Sequence, residues 1–507
     1  MKTRSILYIL SLGISFAIDP LLFRYNTIYN LKTNTRFIIK GIAYQPKKGA
    51  PVGSLDPLAD KVGCLRDVEI FKDLGINAIR VYEVDVTKNH DSCMKALSEA
   101  GIYVLIDLST PEISVPRNNP YFDTYLLDHF KLKVDAFSIY DNILGFVAGN
   151  NVTVDINTVT ASAFVKASIR GIKNYLKYKN INIPVGYSGL NNYDISSSSQ
   201  RYFSCGSDPL ETADFYGFIM RDDNVNSSKY RVNYNIYSYC PSFASEYGIE
   251  NESGIDDINH VYNLKSSILS GGFLFEYSDN GNGYGIVDVN YGNSSINKLP
   301  LYASFKSLLS QVYISDDNVY PRPLSYYTYV RCEYPNPKWP IGSNIAPPPN
   351  SEFCNCIAKT FSCKLPPTFN QTDPNQFKIL DKKISDLCTN LNCSEILSDA
   401  KSNFFGKLSG CTVDQKASYV LSLNFSKDNN ADQQCTIVEL NQTLVVNSSA
   451  LNISSCDRIA GANVNVNSIL EVDQDYISSY DPNNSNISSS RSINNGSYKH
   501  VLNTAEL

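Results

Sequence analysis

The chain has 507 residues, of which 43% are hydrophobic and 19% charged, a composition of a folded protein with two or three domains. A formal net charge of −6, without any long run of Lys and Arg, argues against nucleic acid or an anionic membrane surface as the main partner. The aromatic residues are 35 Tyr and 23 Phe against one Trp, and Tyr combines an apolar face with a hydrogen-bonding tip. This mixture suits neutral, polyhydroxylated ligands, although a general preference of strands and surfaces for Tyr explains it equally well.

Residues 1–17 have the pattern of a secretory signal peptide. Lys2 and Arg4 precede an apolar run that extends from Ile6 to Phe16, and Ala17 provides a small residue for cleavage. The run is too short to cross a bilayer, and no later window reaches about 18 uninterrupted apolar residues. The sequence therefore predicts an exported protein without a transmembrane segment.

Residues 18–334 alternate short apolar runs with helix-like stretches, as α/β proteins do. Eight such strand and helix units in about 300 residues predict a TIM barrel. A doubly wound open sheet is the main alternative, but no G-x-G-x-x-G turn follows the first strand. The eight predicted strands are Ile38–Tyr44, Ala78–Tyr82, Tyr103–Leu108, Leu144–Ala148, Pro184–Tyr187, Phe215–Ile219, Ser242–Ser245 and Phe273–Tyr277. Helices are predicted at Arg66–Leu74, before Gly75, and at Asp91–Ala100, before Gly101.

The residues that close the predicted strands are strongly polar, and in a TIM barrel the C-terminal strand ends form the rim where chemistry takes place. They are Gln45, Tyr82, Glu83, Asp107, Asn150, Asn151, Glu246, Glu276 and Tyr277. Any one carboxylate could simply accept a hydrogen bond from a loop amide, but convergence on one rim favours a site. A cleft lined by Tyr and carboxylates, without a phosphate loop, is typical of glycosidic-bond chemistry.

The 13 cysteines of this exported chain predict disulfides, since its compartment is oxidising. The 4 His are scattered without zinc spacing, so we expect no metal and no cofactor. Eight of the cysteines lie between Cys354 and Cys456, which predicts a small disulfide-rich domain at residues 351–460. A Pro-rich linker is predicted at 335–350, and an Asn/Ser-rich disordered tail at 461–507. N-glycosylation sequons recur along the chain, among them Asn151 and Asn293.

Eleven short motifs follow one another in the first two thirds of the chain. They are Lys40–Pro46, Asp56–Asp60, Asn77–Tyr82, Asn89–Asp91, Asp107–Pro111, Leu144–Phe146, Ala148–Asn150, Pro184–Ser188, Asp214–Gly217, Ser245–Gly248, and Gly271-Gly272 followed by Tyr284-Gly285. In this order they resemble the fungal β-1,3-glucanosyltransferases of glycoside hydrolase family 72, the Gas, Gel and Phr cell-wall proteins. The cysteine-rich domain is similar to the family's X8 carbohydrate-binding module (family 43).

The resemblance implies a TIM barrel followed by a mainly helical, disulfide-rich module, with β-1,3-glucan as the partner, and we expect a monomer at the cell wall or cell surface. It also implies six disulfides. They are Cys64–Cys93, Cys205–Cys332, Cys354–Cys411, Cys356–Cys456, Cys363–Cys435 and Cys388–Cys393, with Cys240 left over.

Members of the family are retaining enzymes: one Glu attacks the anomeric carbon, and a second Glu exchanges protons with the leaving and incoming oxygens. By resemblance, the nucleophile is Glu246, and the acid/base Glu, which in the family follows Ala-Gly-Asn, is replaced by Asn151. An amide has no titratable proton near neutral pH, so it cannot supply general acid/base catalysis. The resemblance further implies sugar contacts from Gln45, Tyr82, Asp107, Asn150, Tyr277 and Tyr284.

The chain departs from the family elsewhere too. The sixth strand continues as Phe218–Asn224 in place of the family's Tyr-Glu-Trp cluster and Cys, and Ile249 replaces the partner cysteine. Ala43 stands where the family has Asp before Tyr44. The family commonly carries a GPI anchor, but residues 501–507 are too polar and short for its hydrophobic signal.

The first hypothesis is therefore a secreted β-1,3-glucan protein of the cell wall, whose glucanosyltransferase activity is absent or severely weakened. A second is an active retaining transferase that uses Glu246 together with a substitute acid, Glu83 or Asp222. A third is a structural, glucan-binding wall protein that acts mainly through the cysteine-rich module.

Overall fold

The computed structural model describes residues 18–51, 55–220, 240–248, 261–262, 269–312, 330–343, 345–365, 369, 373–427, 435–437, 442–443, 445–446 and 453–457. The predicted signal peptide and Asn/Ser-rich tail lie outside the described residues, as do Asp222 and Ile249. The chain divides into a unit of residues 1–460 and a unit of residues 461–507. All described residues belong to the first unit.

Eight parallel strands close into a barrel, as the sequence predicts. A small antiparallel sheet of β1 (Leu21–Arg24), β2 (Thr27–Asn30) and β3 (Thr35–Arg36) precedes them. The barrel strands follow in chain order around the ring, and β11 pairs with β4 to close it. They are β4 (Ile39–Ala43), β5 (Ala78–Val81), β6 (Tyr103–Asp107), β7 (Ile143–Asn150), β8 (Val185–Leu190), β9 (Tyr216–Ile219), β10 (Ser242–Tyr247) and β11 (Gly271–Leu274).

Helices connect the barrel strands, and their ends follow local sequence signals. Asp60 caps α1 by accepting a hydrogen bond from the Gly63 amide, and Gly75 ends it in the left-handed conformation (φ 70°). The second predicted helix is also present. The barrel helices are α1 (Lys61–Leu74), α2 (Asp91–Glu99), α3 (Thr124–Phe137), α4 (Ser162–Tyr178), α5 (Ser196–Ser204) and α6 (Pro300–Gln311). A hairpin of β12 (Val287–Val289) and β13 (Ile296–Lys298) precedes α6.

The eighth barrel strand lies earlier in the chain than the apolar run Phe273–Tyr277 indicates. Its first residues are Gly271 and Gly272, which carry no hydrophobic signal. A Cβ on Gly271, where φ is 82°, would lie 2.1 Å from the carbonyl oxygen of Ile39, so only glycine fits there. The strand ends at Leu274, and the next residues belong to the loop at the barrel mouth.

The two ends of the barrel differ in polarity. At the N-terminal end, side chains such as Leu105, Phe243 and Phe273 form an apolar cluster inside the barrel, and Ile28 of the β1–β3 sheet covers it. A second, larger apolar cluster fills the space between the strands and the surrounding helices. Only the C-terminal end is left to hold a polar cleft.

The C-terminal module is mainly helical. Its elements are α7 (Ser351–Ala358), β14 (Cys363–Lys364), α8 (Pro374–Cys388), β15 (Ser398–Asp399), β16 (Phe404–Phe405), α9 (Val413–Lys427), β17 (Thr436–Ile437), β18 (Gln442–Thr443) and β19 (Val445–Val446). All six disulfides that the resemblance implies are present, four of them in this module. Cys240 is buried outside any disulfide, with its sulfur 3.3 Å from Ser204 Oγ. Within the described part of the chain, no helix is both long and apolar enough to span a bilayer.

The Pro-rich segment 335–350 packs against the barrel. Trp339, the single Trp, is 1% exposed, and its ring centroid lies 5.3 Å from that of Tyr202 in α5. Lys338 Nζ lies 2.9 Å from Asp194 Oδ1, and the Ala346 carbonyl accepts a hydrogen bond from Arg170 of α4. The segment therefore holds the module close to the barrel.

Candidate active site

A cleft of about 770 Å³ opens at the C-terminal end of the barrel. Most of its lining comes from residues at or just beyond the strand ends, as expected for a TIM barrel. The lining residues are Gln45, Lys47, Tyr82, Glu83, Asp107, Ser109, Thr110, Pro111, Ser114, Val115, Pro116, Arg117, Asn118, Asn150, Asn151, Val152, Glu246, Phe275, Glu276, Asn280 and Asn282. Six of the eight site residues expected from the sequence are among them: Gln45, Tyr82, Asp107, Asn150, Asn151 and Glu246.

Glu246 lies at the end of β10 and is 3% exposed. Its Oε1 accepts a hydrogen bond from Tyr82 Oη (3.0 Å) and lies 3.3 Å from Arg80 Nη1. Burial, followed by the charge of Glu246, raises the pKa of Tyr82 well above its ordinary value, so the phenol stays protonated and donates. These two donors fix the orientation of the Glu246 carboxylate at the cleft.

Arg80 carries a central charge of the site. Because it lies inside β5, an inspection of the residues at the strand ends does not find it. Its guanidinium is fully buried and binds both oxygens of Asp107, with Nε–Oδ1 and Nη2–Oδ2 distances of 2.9 and 2.8 Å. Burial disfavours its charge, but Asp107, Tyr82 and Glu246 outweigh that effect and raise its pKa. Both carboxylate oxygens of Asp107 are therefore bound by Arg80, and the same guanidinium links Asp107 to Glu246.

Asn151 lies directly after β7 in a left-handed backbone conformation, with φ of 53°. Its backbone N–H donates to the Ser188 carbonyl (2.8 Å). Its backbone carbonyl accepts two hydrogen bonds from Arg117, at 3.1 and 2.7 Å. Among the described residues, the side-chain oxygens of Asn150 and Asn151 have no hydrogen-bond partner. The backbone at this position is thus firmly held, and the side chain brings an amide to the cleft.

Gln45 links two strand ends beneath the cleft. Its Oε1 accepts the amides of Tyr82 and Glu83 at 3.1 and 3.2 Å, and its Nε2 donates to the Leu55 carbonyl. Both ends of this side chain are therefore bound within the protein, and the residue supports the β4 and β5 side of the lining.

The structure does not place Tyr277 in the cleft, so its expected sugar contact is corrected. Tyr277 has 0% exposure, packs against Tyr44 and Phe71, and donates to Asp67 Oδ1 of α1 at 2.5 Å. Because β11 ends at Leu274, Tyr277 points into the layer between barrel and helices. Tyr284 is also absent from the lining, and its ring packs edge-on against Phe275 at 5.7 Å.

The loop after β11 supplies cleft residues that the sequence reasoning missed or did not assign. Glu276 is 4% exposed, and its Oε1 and Oε2 accept hydrogen bonds from the amides of Asn282 (2.7 Å) and Asn280 (2.9 Å). The oxygen of Asn280 accepts the Lys47 amide, and that of Asn282 accepts the Tyr284 amide, which fixes both side-chain orientations. The signal was the pair of Asn residues next to glycines, which is typical of a structured loop.

No group of three or more His, Cys, Asp or Glu arranged to hold a metal ion occurs among the residues that the structure describes. The cleft lining offers carboxylates, Tyr and Arg side chains and amides.

Comparison with known families gives two matches. A family model described as glucanosyltransferase, of the glycoside hydrolase 72 group, matches residues 13–313, more than half of the chain. A second model, described as X8 domain, matches residues 369–442.

Individual relatives agree with these matches. The protein EPD1 of Candida maltosa is 34% identical over 422 residues, which cover 81% of this chain and 75% of the relative. The 1,3-beta-glucanosyltransferase GAS2 of Saccharomyces cerevisiae is 33% identical over 464 residues, which cover 85% and 81%. A solved structure of Saccharomyces cerevisiae Gas2p in complex with laminaripentaose matches with a TM-score of 0.74 and 32% identity, covering 86% of this chain and 99% of that one.

Proposed function

Because this chain belongs to the glucanosyltransferase family of glycoside hydrolase group 72, we propose that it binds β-1,3-glucan in the barrel cleft but transfers glucan chains weakly or not at all. The site of action proposed for it is the cell surface or wall, in line with the signal-peptide pattern of residues 1–17.

The observation that carries this proposal is Asn151 at the end of β7. Retaining glycosyl transfer needs a proton donor across the scissile bond from the nucleophile, about 5 Å from it. An amide cannot fill that role, and the general acid/base contribution it forgoes is typically about 10² to 10⁴-fold in rate. Bond cleavage with a sugar leaving group suffers most, since the departing oxygen has to be protonated.

The other carboxylates of the cleft stand on other strands. Among the described lining residues, Glu83 follows β5, Asp107 ends β6, Glu246 ends β10, and Glu276 follows β11. In the closed ring β7 and β11 are the fourth and eighth strands, so they face each other across the mouth. Glu276 therefore approaches a bound sugar from the side opposite Asn151, and both oxygens of Asp107 are taken by Arg80. Neither Glu276 nor Asp107 therefore replaces the proton donor.

Binding of the glucan, unlike its transfer, does not require a proton-donating side chain. The lining retains hydroxyl-binding groups, including Tyr82, Asn150 and Glu276, and the ring of Phe275 offers an apolar surface for a sugar face. A relative of this chain has been solved with laminaripentaose, which makes that oligosaccharide the ligand to test first.

The test of this proposal is calorimetric titration of the purified full-length protein with laminaripentaose, alongside incubation with reduced laminari-oligosaccharides and analysis of product lengths. We expect saturable binding with little or no elongation. An Asn151→Gln variant serves as the matched control, because it keeps an amide and should behave like the parent. Absence of binding, or efficient elongation by the parent protein, would contradict the proposal.

A second candidate is an active transferase that uses a substitute acid, and the ordered nucleophile favours it. Glu246 keeps two donors, whereas a cleft used for binding alone has no need of an oriented carboxylate. Glu83 is the described candidate acid, and its Oε1 lies 3.8 Å from Lys47 Nζ. A glucoside with a good leaving group would then trap a covalent adduct on Glu246, detectable by mass spectrometry. Glu83→Gln should abolish transfer to sugars under this candidate and leave the adduct intact.

A further inference from the structure

One wall of the cleft is a single segment, residues 109–118, which we call the cleft wall. It follows β6 and supplies eight of the lining residues, from Ser109 to Asn118. Inside it, the Thr110 amide donates to the Ile113 carbonyl at 3.0 Å. Arg117 connects the cleft wall to the end of β7, because its Nε and Nη2 donate hydrogen bonds to the Asn151 carbonyl. The position of the cleft wall therefore affects how the carbonyl of residue 151 is held, whereas the backbone N–H of that residue is bound by Ser188 of β8.

The cleft wall leads directly into contacts with the C-terminal module. Only Asn119 and Pro120 separate it from Tyr121, and the ring of Pro120 restricts the backbone of this short connection. Tyr121 packs against the module's apolar cluster around Val413 and Ala417. The ammonium group of Lys416 lies 5.4 Å from the centroid of the Tyr121 ring, within range of a cation–π interaction.

A backbone bond fixes the same junction. The Thr124 amide, at the start of α3, donates to the Gly410 carbonyl of the module at 3.0 Å. Asp123 between these contacts is 1% exposed and caps α3 by accepting the Leu126 amide. The end of the cleft wall is therefore held by the module on one side and by the first turn of α3 on the other.

We propose that the module positions the cleft wall through Tyr121 and Thr124, and so keeps Arg117 in place against residue 151. The module thus contributes to the barrel site as a brace, whether or not it binds glucan itself. The effect on ligand binding rests on the proposed function of the cleft, whereas the effect on the wall does not.

The test is hydrogen–deuterium exchange of the full-length protein without ligand, read at the amides of residues 109–118. Tyr121→Ala removes the packing of the Tyr121 ring against the module together with its contacts to the barrel's apolar cluster, and exchange in the wall should rise more than about tenfold. Lys416→Ala is a milder change on the module side, and we expect a rise of about two- to fivefold. Far-UV circular dichroism of each variant verifies that the fold is retained.

A matched control is Phe405→Ala. Phe405 of the module packs against Phe164 of α4 at 5.9 Å, so this contact also joins the two domains but does not lead into the cleft wall. Wall exchange should stay at the parent level in this variant. Unchanged exchange in both test variants, or an equal rise in Phe405→Ala, would overturn the brace.

Titration with laminaripentaose then separates the brace from the proposed function. If the parent protein binds, Tyr121→Ala should weaken the affinity several-fold more than Phe405→Ala does. If the parent does not bind, the proposed function fails, while the exchange measurement still decides whether the module braces the wall.

Discussion

At the residue scale, the buried guanidinium of Arg80 joins the carboxylates of the site. Arg80 sits between Asp107 and Glu246, and its guanidinium lies 4.7 Å from the centroid of the Tyr82 ring. Two buried carboxylates without this cation would repel each other in a medium of low polarity. Strand-end reasoning identified both carboxylates and missed Arg80, because a charged residue inside a short strand carries no signal of its own.

Replacing Arg80 should therefore cost far more stability than replacing a surface cation. We expect Arg80→Met to lower the free energy of unfolding by about 3–5 kcal/mol, since it leaves two buried charges unpaired. Lys72→Met is the control, because Lys72 forms an exposed pair with Glu69 and should change stability by less than about 1 kcal/mol. Urea denaturation measures both, and an equal effect of the two substitutions would contradict this assignment.

The backbone conformation at Asn151 suits an asparagine. Asn tolerates positive φ better than most residues, and the value of 53° here lies in the left-handed region. A Glu introduced at this position would have to adopt the same conformation, at a cost of about 1–2 kcal/mol, or shift the backbone that Arg117 holds. We expect any gain of transfer activity in Asn151→Glu to be limited by this backbone cost.

At the element scale, the loop after β7 contains a sequon that the fold conceals. Thr153 is 2% exposed, with its hydroxyl 2.7 Å from Ser162 Oγ and its amide bonded to Tyr187 Oη. A glycan on Asn151 would also have to fill the cleft. Asn293, by contrast, lies exposed in the β12–β13 hairpin loop.

We therefore expect Asn151 to be unmodified and Asn293 to be available for glycosylation. Glycopeptide mass spectrometry of the secreted protein measures occupancy at each site. A largely occupied Asn151 would contradict the described loop and the use of the cleft for glucan.

The start of α3 should respond to pH. Burial raises the pKa of Asp123 from 3.8 to about 6, with the charge of Lys416 opposing that effect and Asp414 adding to it. Because the folded state favours the protonated carboxyl, Asp123 contributes stability below about pH 4, and this contribution is lost as the pH rises to about 6.

Asp123→Asn should consequently stabilise the protein at pH 7, by up to roughly 3 kcal/mol, and have little effect at pH 4, since Asn also caps helices. Thermal unfolding of both proteins at the two pH values provides the measurement. A difference in melting temperature that is the same at both values would rule out a titrating Asp123.

At the scale of the whole molecule, the alternation of short apolar runs with helix-like stretches was enough to predict the barrel. The family resemblance was enough to predict the six disulfides. The position of β11 was not predictable from apolar runs, because its first two residues are glycines required by close packing, Gly271 against Ile39 and Gly272 against Ala244. Tyr277 was misplaced for the same reason. The contacts of Tyr121 and Thr124 with the module join residues nearly 300 positions apart, and no local pattern encodes such a pairing.

The sequence thus located the residues of the rim better than the contacts that support them. Glu246 and Asn151 follow from motifs, whereas Glu276 with its two Asn donors depends on how a loop closes. In the folded molecule the barrel, segment 335–350 and the module share contacts, so separate expression of barrel and module would expose surfaces such as those of Tyr121 and Trp339.

The central claim is that the cleft holds glucan but lacks the proton donor for transfer. Its most direct test compares elongation of a reduced laminari-oligosaccharide by the parent protein, Asn151→Glu and Asn151→Gln at equal concentration. We expect Asn151→Glu to elongate the oligosaccharide at least about tenfold faster than the other two proteins. The full general acid/base contribution of about 10² to 10⁴-fold is not expected, because the Glu has to adopt the left-handed backbone conformation. Elongation by the parent protein at or above the rate of Asn151→Glu would contradict the account.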